Sequence, residues 1–325
     1  MKDYSKFIDP LDSSLNTLDK IRTGNVERGL GIGVEEFDQR LLFKRGQFNM
    51  GIGHDNVGKT DLIMWYYVCL SKLHGIKHCI FSSENKPYSL LRKIFNFWTG
   101  KRIDRDFVNN EASYFRYLEE IKEHFSFIRT DQRYSASEII DIIKHQNCDT
   151  GLIDPFNSLK SNGGNKHEED YEVCADIRTM CLQTNKTVYV MAHIASQFAR
   201  MTYPMEHEYK GHLVHPEKSY VEGGQKFANR ADDFLSIHRM TQHPDLWNVT
   251  ELHVRKVKET ETGGSVTYKD EPIKLKMVDR CKFEINGKDP LQNETPTNFE
   301  LDYPKNNALD SFINAGNLED DELPF

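Results

Sequence analysis

Residues 47–60 read Gln47-Phe48-Asn49-Met50-Gly51-Ile52-Gly53-His54-Asp55-Asn56-Val57-Gly58-Lys59-Thr60. The first six form a short, largely apolar run, and the last eight match the pattern G-x-x-x-x-G-K-T. In this pattern glycines let the backbone N–H groups turn towards a β-phosphate, the lysine neutralises the β- and γ-phosphate oxygens, and the threonine hydroxyl faces Mg²⁺. The apolar segment 61–73 follows and stops before Gly75, as a buried helix would. The stretch therefore predicts a strand, a phosphate-binding loop (Gly53–Thr60) and a helix, with ATP and Mg²⁺ as cofactors.

Strand and helix patterns alternate beyond this loop. Further strands are predicted at 77–83, 125–128, 150–154 and 187–192, and helices at 89–98, 137–145 and 169–184. Alternation of this kind indicates a mostly parallel central sheet flanked by helices. Residues 233–240 and 250–257 are then predicted as strands, and 273–278 with 282–285 as a closing hairpin. The predicted fold class is α/β, with the phosphate-binding loop in its core.

Composition and charge narrow the class of protein. The 325 residues include six scattered cysteines without zinc-site spacing, which favours reduced thiols in a cytoplasmic protein. The chain starts without the apolar segment of a secretory signal, and no apolar run approaches the roughly 18 residues of a membrane span. Residues 289–325 hold nine acids and one base, so they carry the whole net charge of −8. We therefore expect a neutral core and no membrane partner.

The chain divides into three predicted parts. Residues 28–288 form the core, and residues 289–325 form a flexible, disordered acidic tail. Residues 1–27 form an extension in which Leu15, Leu18 and Ile21 follow a helical spacing. This helix could pack on a neighbouring subunit, or it could be a frayed N-terminal helix.

Polar residues end three of the predicted strands. Asp154 is expected to hold the Mg²⁺ shell; alternatively it is a strand-end acid that starts a turn. Glu84 could orient and deprotonate an attacking water, or stabilise a helix N-terminus as an ordinary acid. His193 could sense a γ-phosphate, or be a hydrogen-bonded histidine without a catalytic role.

Two lysines follow one another near the end of the core. Lys256 and Lys258 are two residues apart, so on a strand they face the same way. They could reach the γ-phosphate of a neighbouring subunit, although lysine lacks the forked guanidinium of arginine. The alternative is a solvated strand face. A polar stretch of unusual length, Ser196 to Ser219, precedes them and is typical of a functional or mobile loop.

A set of ordered segments carries a family resemblance. In addition to the phosphate-binding loop, they are Gly29–Asp38, Phe81–Glu84, Leu152–Asn157, Val190–His193, Gly223–Asp232 with Ile237–Arg239, and Arg255–Lys258 with Thr262–Gly264. In order and content they resemble the RecA-type motor domain of DnaB-like ring helicases, also called superfamily 4. The match is best with phage and Bacteroidetes-type toprim-associated helicases and the mitochondrial replicative helicase, and it covers about residues 28–288. It implies a protein of a bacterial or phage-infected cell.

The resemblance implies further roles. The motif after the long loop would contact DNA through Gly224, Lys226 and Asn229, and Arg239 would stack on the nucleotide base. The loops lining the pore of a ring would be Ser158–Glu168 and Ala195–Tyr220. They would track DNA phosphates with five basic side chains: Lys160, Lys166, Arg200, Lys210 and Lys218.

Three features depart from the family pattern. Asn229 stands where many members have glutamine, so that DNA contact would be shorter, and Lys258 stands where many have arginine. The 27 residues before the core are too few for the primase or helical domain of most replicative members. We therefore expect priming and loading to come from other chains.

The last eight residues, Leu318–Phe325, resemble the acidic tip of bacterial single-stranded-DNA-binding proteins. In that family the terminal phenylalanine enters an apolar pocket and the acids meet basic residues around it. The residues expected to bind a partner such as a primase, loader or repair protein are Asp320, Asp321, Leu323, Pro324 and Phe325. The tail could instead be a solubilising segment, or could compete with DNA for the pore loops.

Three functions remain open at this point. The first is an ATP-hydrolysing ring helicase, expected to be a hexamer, that moves along single-stranded DNA; the resemblance implies 5′→3′ movement. The second is a RecA-like recombinase or strand-annealing ATPase that forms filaments on single-stranded DNA. The third is a regulatory or transport ATPase that never touches DNA.

Overall fold

The structure is a computed structural model that describes residue 8 and residues 10–160, 166–222 and 224–292. The side chains of residues 166–168 and 225–227 are not among those described. Several predicted features lie outside these ranges: residues 161–165 of one predicted pore loop, Gly223, the tail from residue 293 and its tip, and the Lys166 and Lys226 side chains. The chain separates into a core unit, Arg28–Glu294, and a second unit made of both chain ends.

Strands found within the described residues form a single mixed sheet. They are β1 (Phe48–Ile52), β2 (His78–Ser82), β3 (Phe125–Phe127), β4 (Thr150–Asp154), β5 (Thr187–Ala192), β6 (Phe234–His238), β7 (Val249–Lys256), β8 (Ile273–Val278) and β9 (Lys282–Glu284). Their order across the sheet is β3-β2-β4-β5-β1-β6-β7-β8-β9. Pairing is parallel from β3 to β6 and antiparallel from β6 to β9. The predicted parallel sheet and closing hairpin are confirmed.

Helices cover this sheet on both faces. In the described ranges they are α1 (Asp12–Arg22), α2 (Glu35–Asp38), α3 (Lys59–His74), α4 (Pro87–Thr99), α5 (Ile103–Asp106), α6 (Glu111–His124), α7 (Ala136–His145), α8 (Lys166–Thr184) and α9 (Gln225–Arg230). Two hydrophobic clusters separate along the sheet. One contains the buried side of α3 and α4, and the other packs Phe48, Met50 and Ile52 of β1 against α7 and α8. Alternate residues of a strand point to opposite faces, which explains the division.

The central helix α3 is buried on all sides. Residues 62–71 are buried without a break, so this helix has no polar stripe. It ends at Gly75, whose φ of 68° is the left-handed conformation that favours glycine at a helix C-terminus. A helix buried all round is expected in the core of a large domain. The helix prediction after the phosphate-binding loop is confirmed.

Sequence reasoning overlooked α5 and α6, and misplaced one strand end. The side chain of Asn110 accepts a hydrogen bond from Ser113 N at the start of α6, which is a local signal that could have predicted this helix. Strand β7 ends at Lys256, so Lys258 lies beyond the strand and not on a shared strand face. No helix in the described ranges is long and apolar enough to cross a membrane. All six cysteines lie in the described part as buried free thiols.

The second unit is described only through its N-terminal helix, α1. This helix has no buried residue, and the side chains of Leu15 and Leu18 are exposed. The predicted helical pattern is therefore present as a helix. Its packing on a neighbouring subunit stays a prediction.

Candidate nucleotide-binding site

The carboxyl ends of four adjacent strands bring the predicted functional residues to one edge of the sheet. In the order β2-β4-β5-β1, these ends carry Glu84, Asp154, His193 and the phosphate-binding loop. Ligands of open parallel sheets bind in the crevice outside the carboxyl ends of the strands. We call this edge, with its loop, the phosphate edge.

The loop conformation depends on Gly58. Its φ is 87°, which an L side chain rarely adopts, and a Cβ at this position would collide with the guanidinium of Arg239. Asn56 also has a positive φ, of 61°. Directly afterwards α3 begins at Lys59, so its free N–H groups and the positive end of its dipole face the loop. A loop of this form at a helix N-terminus favours phosphate groups.

The Lys59 ammonium lies inside the loop. Its Nζ donates to Gly53 O at 2.9 Å and to His54 O at 2.8 Å. Burial lowers the pKa of Lys59, while three surrounding carboxylates, those of Asp55, Asp154 and Glu84, act to raise it. The lysine is therefore placed to neutralise additional negative charge delivered to the loop.

Thr60 and Asp154 form a pair of oxygen ligands beside this lysine. Thr60 Oγ1 donates to Asp154 Oδ2 at 3.2 Å. Asp154 is only 3% exposed, and burial together with the charge of Glu84 raises its pKa. A hydroxyl and a carboxylate are ligands that Mg²⁺ accepts next to nucleotide phosphates. The residues present therefore fit ATP with Mg²⁺, and a bound cation would favour the charged form of Asp154.

Glu84, His193 and Asp55 form a second polar group at this edge. His193 Nε2 lies 3.1 Å from Glu84 Oε1, and His193 Nδ1 lies 3.5 Å from Asp55 Oδ1. The Glu84 side chain is 54% exposed, so water can reach its carboxylate. His193 thus links a candidate general base to the phosphate-binding loop. The sequence predicted these three positions separately, and the structure brings them together.

Arg239 closes the loop on its other side. Its guanidinium lies against Gly58, and its Nε donates to Thr250 Oγ1 at 3.0 Å. Burial lowers the pKa of Arg239, and the charge of Asp61 opposes this effect. The predicted nucleotide-base contact of Arg239 is therefore geometrically available next to the loop.

The two predicted trans lysines lie at the opposite edge of the sheet, here called the lysine edge. Lys256 pairs with Phe234, the first residue of β6, whereas Gly53 lies near Ile237 towards the end of β6. Lys256 Nζ donates to three carbonyl oxygens at the end of α9: Ala228 O (3.3 Å), Asn229 O (2.9 Å) and Ala231 O (2.5 Å). Sequence reasoning missed this structural role.

A buried acid holds the second lysine. Lys258 Nζ lies 3.2 Å from Asp232 Oδ1, and the Asp232 side chain is 3% exposed. Arg178 also pairs with this carboxylate, and Phe48 N donates to its other oxygen at 3.0 Å. The Lys258 side chain itself remains 46% exposed. It therefore stays accessible to another molecule, unlike the Lys256 ammonium.

The predicted DNA contacts lie on exposed surface where their side chains are described. Lys160, Arg200, Lys210 and Asn229 are exposed, and Lys218 is half-buried. Gly224 has a φ of 91°. The long loop is folded upon itself: Thr202 bridges to Leu213, and the rings of Phe198 and Tyr220 stack at 4.3 Å.

The base of this loop is joined to the phosphate edge. Glu222 N donates to His193 O at 3.0 Å, and Ala195 N donates to Tyr220 O at 2.8 Å. The loop thus leaves and re-enters the core directly beside the histidine that contacts Glu84. A displacement of His193 would act on both ends of the loop.

Comparison of the structure with solved structures shows what the fold resembles. A solved ATPase domain of a DnaB-like helicase matches with a TM-score of 0.67 and 15% identity, over 85% of this chain and 99% of that one. A DnaB-like replicative helicase, solved with regard to its interactions with primase, matches with a TM-score of 0.65 and 14% identity, over 85% of this chain and 66% of that one. The RadB recombinase matches with a TM-score of 0.49 and 14% identity, over 78% of this chain and 97% of that one.

The sequence itself matches no family model and no curated protein. At 14–15% identity, structural likeness defines the fold. The core unit therefore has the RecA-like α/β fold found in the ATPase domains of DnaB-like helicases.

Proposed function

We propose that this chain is an ATP-driven DNA helicase that works as a ring on single-stranded DNA. The observation that carries the proposal is the phosphate edge. There Lys59, the Thr60–Asp154 pair and the His193–Glu84 pair surround one phosphate-binding loop. Bound Mg²⁺-ATP would supply the phosphoanhydride that is cleaved.

Each residue at this edge has a defined part in the proposed reaction. Lys59 binds phosphate oxygens, and Thr60 and Asp154 hold the cation. Glu84 orients the attacking water and accepts its proton, because its carboxylate is exposed to solvent and tied to His193 at 3.1 Å. Arg239 is placed to contact the nucleotide base.

The position of the lysines supports an oligomer. Strand β1 has five residues, so about 15 Å separates the phosphate edge from the lysine edge at roughly 3.3 Å per residue. Lys258 therefore cannot serve the phosphate-binding loop of its own chain. A second copy would present its exposed ammonium to a γ-phosphate in trans, and repetition of that contact closes a ring, which we propose to be a hexamer.

The long loop provides the proposed coupling to DNA. It starts beside His193, and its end is hydrogen-bonded to His193 O through Glu222 N. Its exposed basic residues, Arg200 and Lys210, suit contacts with the phosphates of a single strand. A change of the γ-phosphate state felt by Glu84 and His193 would therefore move this loop.

The first test is unwinding of a forked DNA duplex with ATP, comparing the native chain with Lys59→Ala and with Arg133→Ala. Arg133 is exposed and lies far along the chain from the loop, so it controls for the loss of one positive charge. We expect strand separation by the native chain and by Arg133→Ala. Lys59→Ala should lose ATP turnover and unwinding by a factor of about 10² or more.

The recombinase or annealing alternative gives a different outcome. ATP turnover stimulated by single-stranded DNA, with no strand separation and with filaments in negative-stain images, would replace the helicase proposal. Turnover that DNA does not change would instead favour an ATPase that never touches DNA. Closed rings with unwinding would support the proposal, and the order in which forks of either polarity are opened would give the direction of movement.

A partner through the acidic tail is a further part of the proposal. The helicase in one structural neighbour interacts with primase. By analogy, the tip with Asp320, Asp321 and Phe325 would recruit a primase, a loader or a repair protein. Deletion of residues 323–325 should leave ATP turnover unchanged and weaken partner capture; equal capture by the shortened chain would dismiss this role.

A further inference from the structure

A cavity of about 320 Å³ lies beside the phosphate edge and has no part in the function proposed above. It is lined by α4, by the segment after β6 and by the turn between β8 and β9. Arg239 lies between this cavity and the phosphate-binding loop, because its guanidinium lines the cavity and also contacts Gly58. The cavity is thus adjacent to the nucleotide site but separated from it by a side chain.

The lining carries an excess of positive charge. Five of its residues are basic: Arg92, Lys93, Arg102, Arg239 and Arg280. Its two carboxylates already have partners, since Asp61 pairs with Lys93 and Asp104 pairs with Arg102 at 2.6 Å. Within the part of the chain that the structure describes, Arg92, Arg239 and Arg280 form no ion pair with a carboxylate. Three guanidinium groups around one small cavity favour an anion, and the planar guanidinium suits phosphate.

Arg280 occupies an unusual backbone position for its residue type. Asp279 and Arg280 form the turn between β8 and β9, with φ of 49° and 57°. A two-residue turn with both φ values positive normally takes asparagine and glycine. An arginine in such a position costs free energy, and residues in disfavoured conformations cluster at ligand sites. This arginine reaches the cavity from a strained turn, which supports a binding role.

The remaining lining suits a flat ring. Trp247 is 57% exposed at the cavity, and the apolar side chains of Phe97 and Met277 also line it. Asn96 uses its Oδ1 to accept from Ile103 N, and Asn248 uses its Nδ2 to donate to Met277 O. The Asn96 amide N–H and the Asn248 amide oxygen therefore remain as one donor and one acceptor. A nucleobase presents both kinds of group and stacks on an aromatic ring.

We propose that this cavity is a second nucleotide site that binds a nucleoside monophosphate. Arg92 and Arg280 hold the phosphate, Trp247 stacks on the base, and the two asparagines contact the base edge. The volume of about 320 Å³ lies at the lower end for small-ligand sites and therefore suits a monophosphate better than a triphosphate or a polymer. The site goes beyond the proposed helicase function and does not depend on ATP turnover.

The test is binding of AMP, measured by calorimetry and by the fluorescence of Trp247. AMP lacks the β- and γ-phosphates that the phosphate-binding loop holds, so it is a selective probe of the cavity. We expect Arg280→Ala and Arg92→Ala each to weaken AMP binding about ten-fold, since each removes a hydrogen bond to a charged group. Arg133→Ala is the matched control. All three arginines are exposed, so the variants should fold, which circular dichroism checks.

Two further variants separate this site from the phosphate-binding loop. Lys59→Ala should bind AMP with native affinity, and Trp247→Phe should lose the fluorescence change while keeping binding by calorimetry within about two-fold. Loss of AMP binding in Lys59→Ala would assign the probe to the loop and overturn the proposal. Native binding by Arg280→Ala and Arg92→Ala would also overturn it.

Inorganic phosphate and adenosine identify the chemistry that is recognised. Each alone should bind at least ten-fold more weakly than AMP, because the cavity contacts both parts of the ligand. Equal binding of AMP and inorganic phosphate would show a simple anion site and would overturn the nucleotide assignment. Because every arm measures binding, these results stand even if the chain neither hydrolyses ATP nor unwinds DNA.

Discussion

The two edges of the sheet differ in how far one chain completes them. At the phosphate edge, Lys59, Asp154, Glu84 and His193 come from four separate strands or their ends and already surround one loop. At the lysine edge, the chain itself uses its cations: Lys256 binds three carbonyl oxygens, and Lys258 pairs with a buried acid. Nucleotide chemistry thus requires one chain, whereas the lysines can act on a nucleotide only when a second chain approaches.

The largest effect is expected from Glu84→Gln at the phosphate edge. Loss of the carboxylate should lower ATP turnover by about 10³ because glutamine cannot accept the proton of the attacking water. ATP binding should persist, since Lys59, Thr60 and Asp154 remain. Turnover and equilibrium binding of a fluorescent ATP analogue check the two parts. Glu119→Gln, at an exposed position on α6, is the control; native turnover in Glu84→Gln would show that another group activates the water.

A smaller effect is expected from Lys258→Ala, which tests the lysine edge. Removal of a trans cation should lower turnover by about 10² at protein concentrations where subunits associate, with ATP binding to the single chain unchanged. Turnover measured over a range of protein concentrations, with Lys269→Ala as control, provides the check. If the Lys258 variant matches the native chain at every concentration, the trans assignment is wrong.

Substitution of Lys256 should act on stability first. Lys256→Met keeps the length of the side chain but leaves the carbonyl oxygens of Ala228, Asn229 and Ala231 without their donor. We expect the free energy of unfolding to fall by about 2 kcal/mol. Urea denaturation measures this, with Lys269→Met as control. An unchanged midpoint, together with a loss of turnover, would mean that Lys256 serves a neighbour and not its own chain.

The smallest effect is a pH dependence at the lysine edge. Burial raises the pKa of Asp233 to about 6, although the charge of nearby Lys44 opposes this shift. Between about pH 4 and pH 6 the unfolded chain loses this proton while the folded chain keeps it, so this acid makes the free energy of unfolding fall as pH rises. Relative to the native chain, Asp233→Asn should gain about 1–2 kcal/mol between pH 4 and pH 7.

Urea denaturation at several pH values measures this difference. The asparagine side chain of this variant can still accept the hydrogen bond that Lys258 N now donates to Asp233 Oδ1 at 3.4 Å, so the comparison isolates the titration. A stability difference that does not change with pH would show that Asp233 titrates normally.

Some features of the fold could be predicted because their causes are local. The strand, loop and helix around Gly58 and Lys59 follow from backbone conformation and phosphate chemistry within a few residues. The helix α6 carries an equally local signal at Asn110, which sequence reasoning overlooked. The end of β7 at Lys256 could not be read from the sequence, because it depends on pairing with β6 and on the carbonyl groups of α9.

The sequence by itself determined the class of fold, the phosphate-binding loop and the candidate acids Glu84 and Asp154. Spacing and periodicity encode these features, and each strand end carries its polar residue regardless of its neighbours. Only the tertiary structure decided that Glu84, His193 and Asp55 meet, that Lys256 is occupied, and that three arginines surround one cavity. These contacts join residues far apart in the chain, and the order of strands in the sheet, which no local pattern specifies, brings them together.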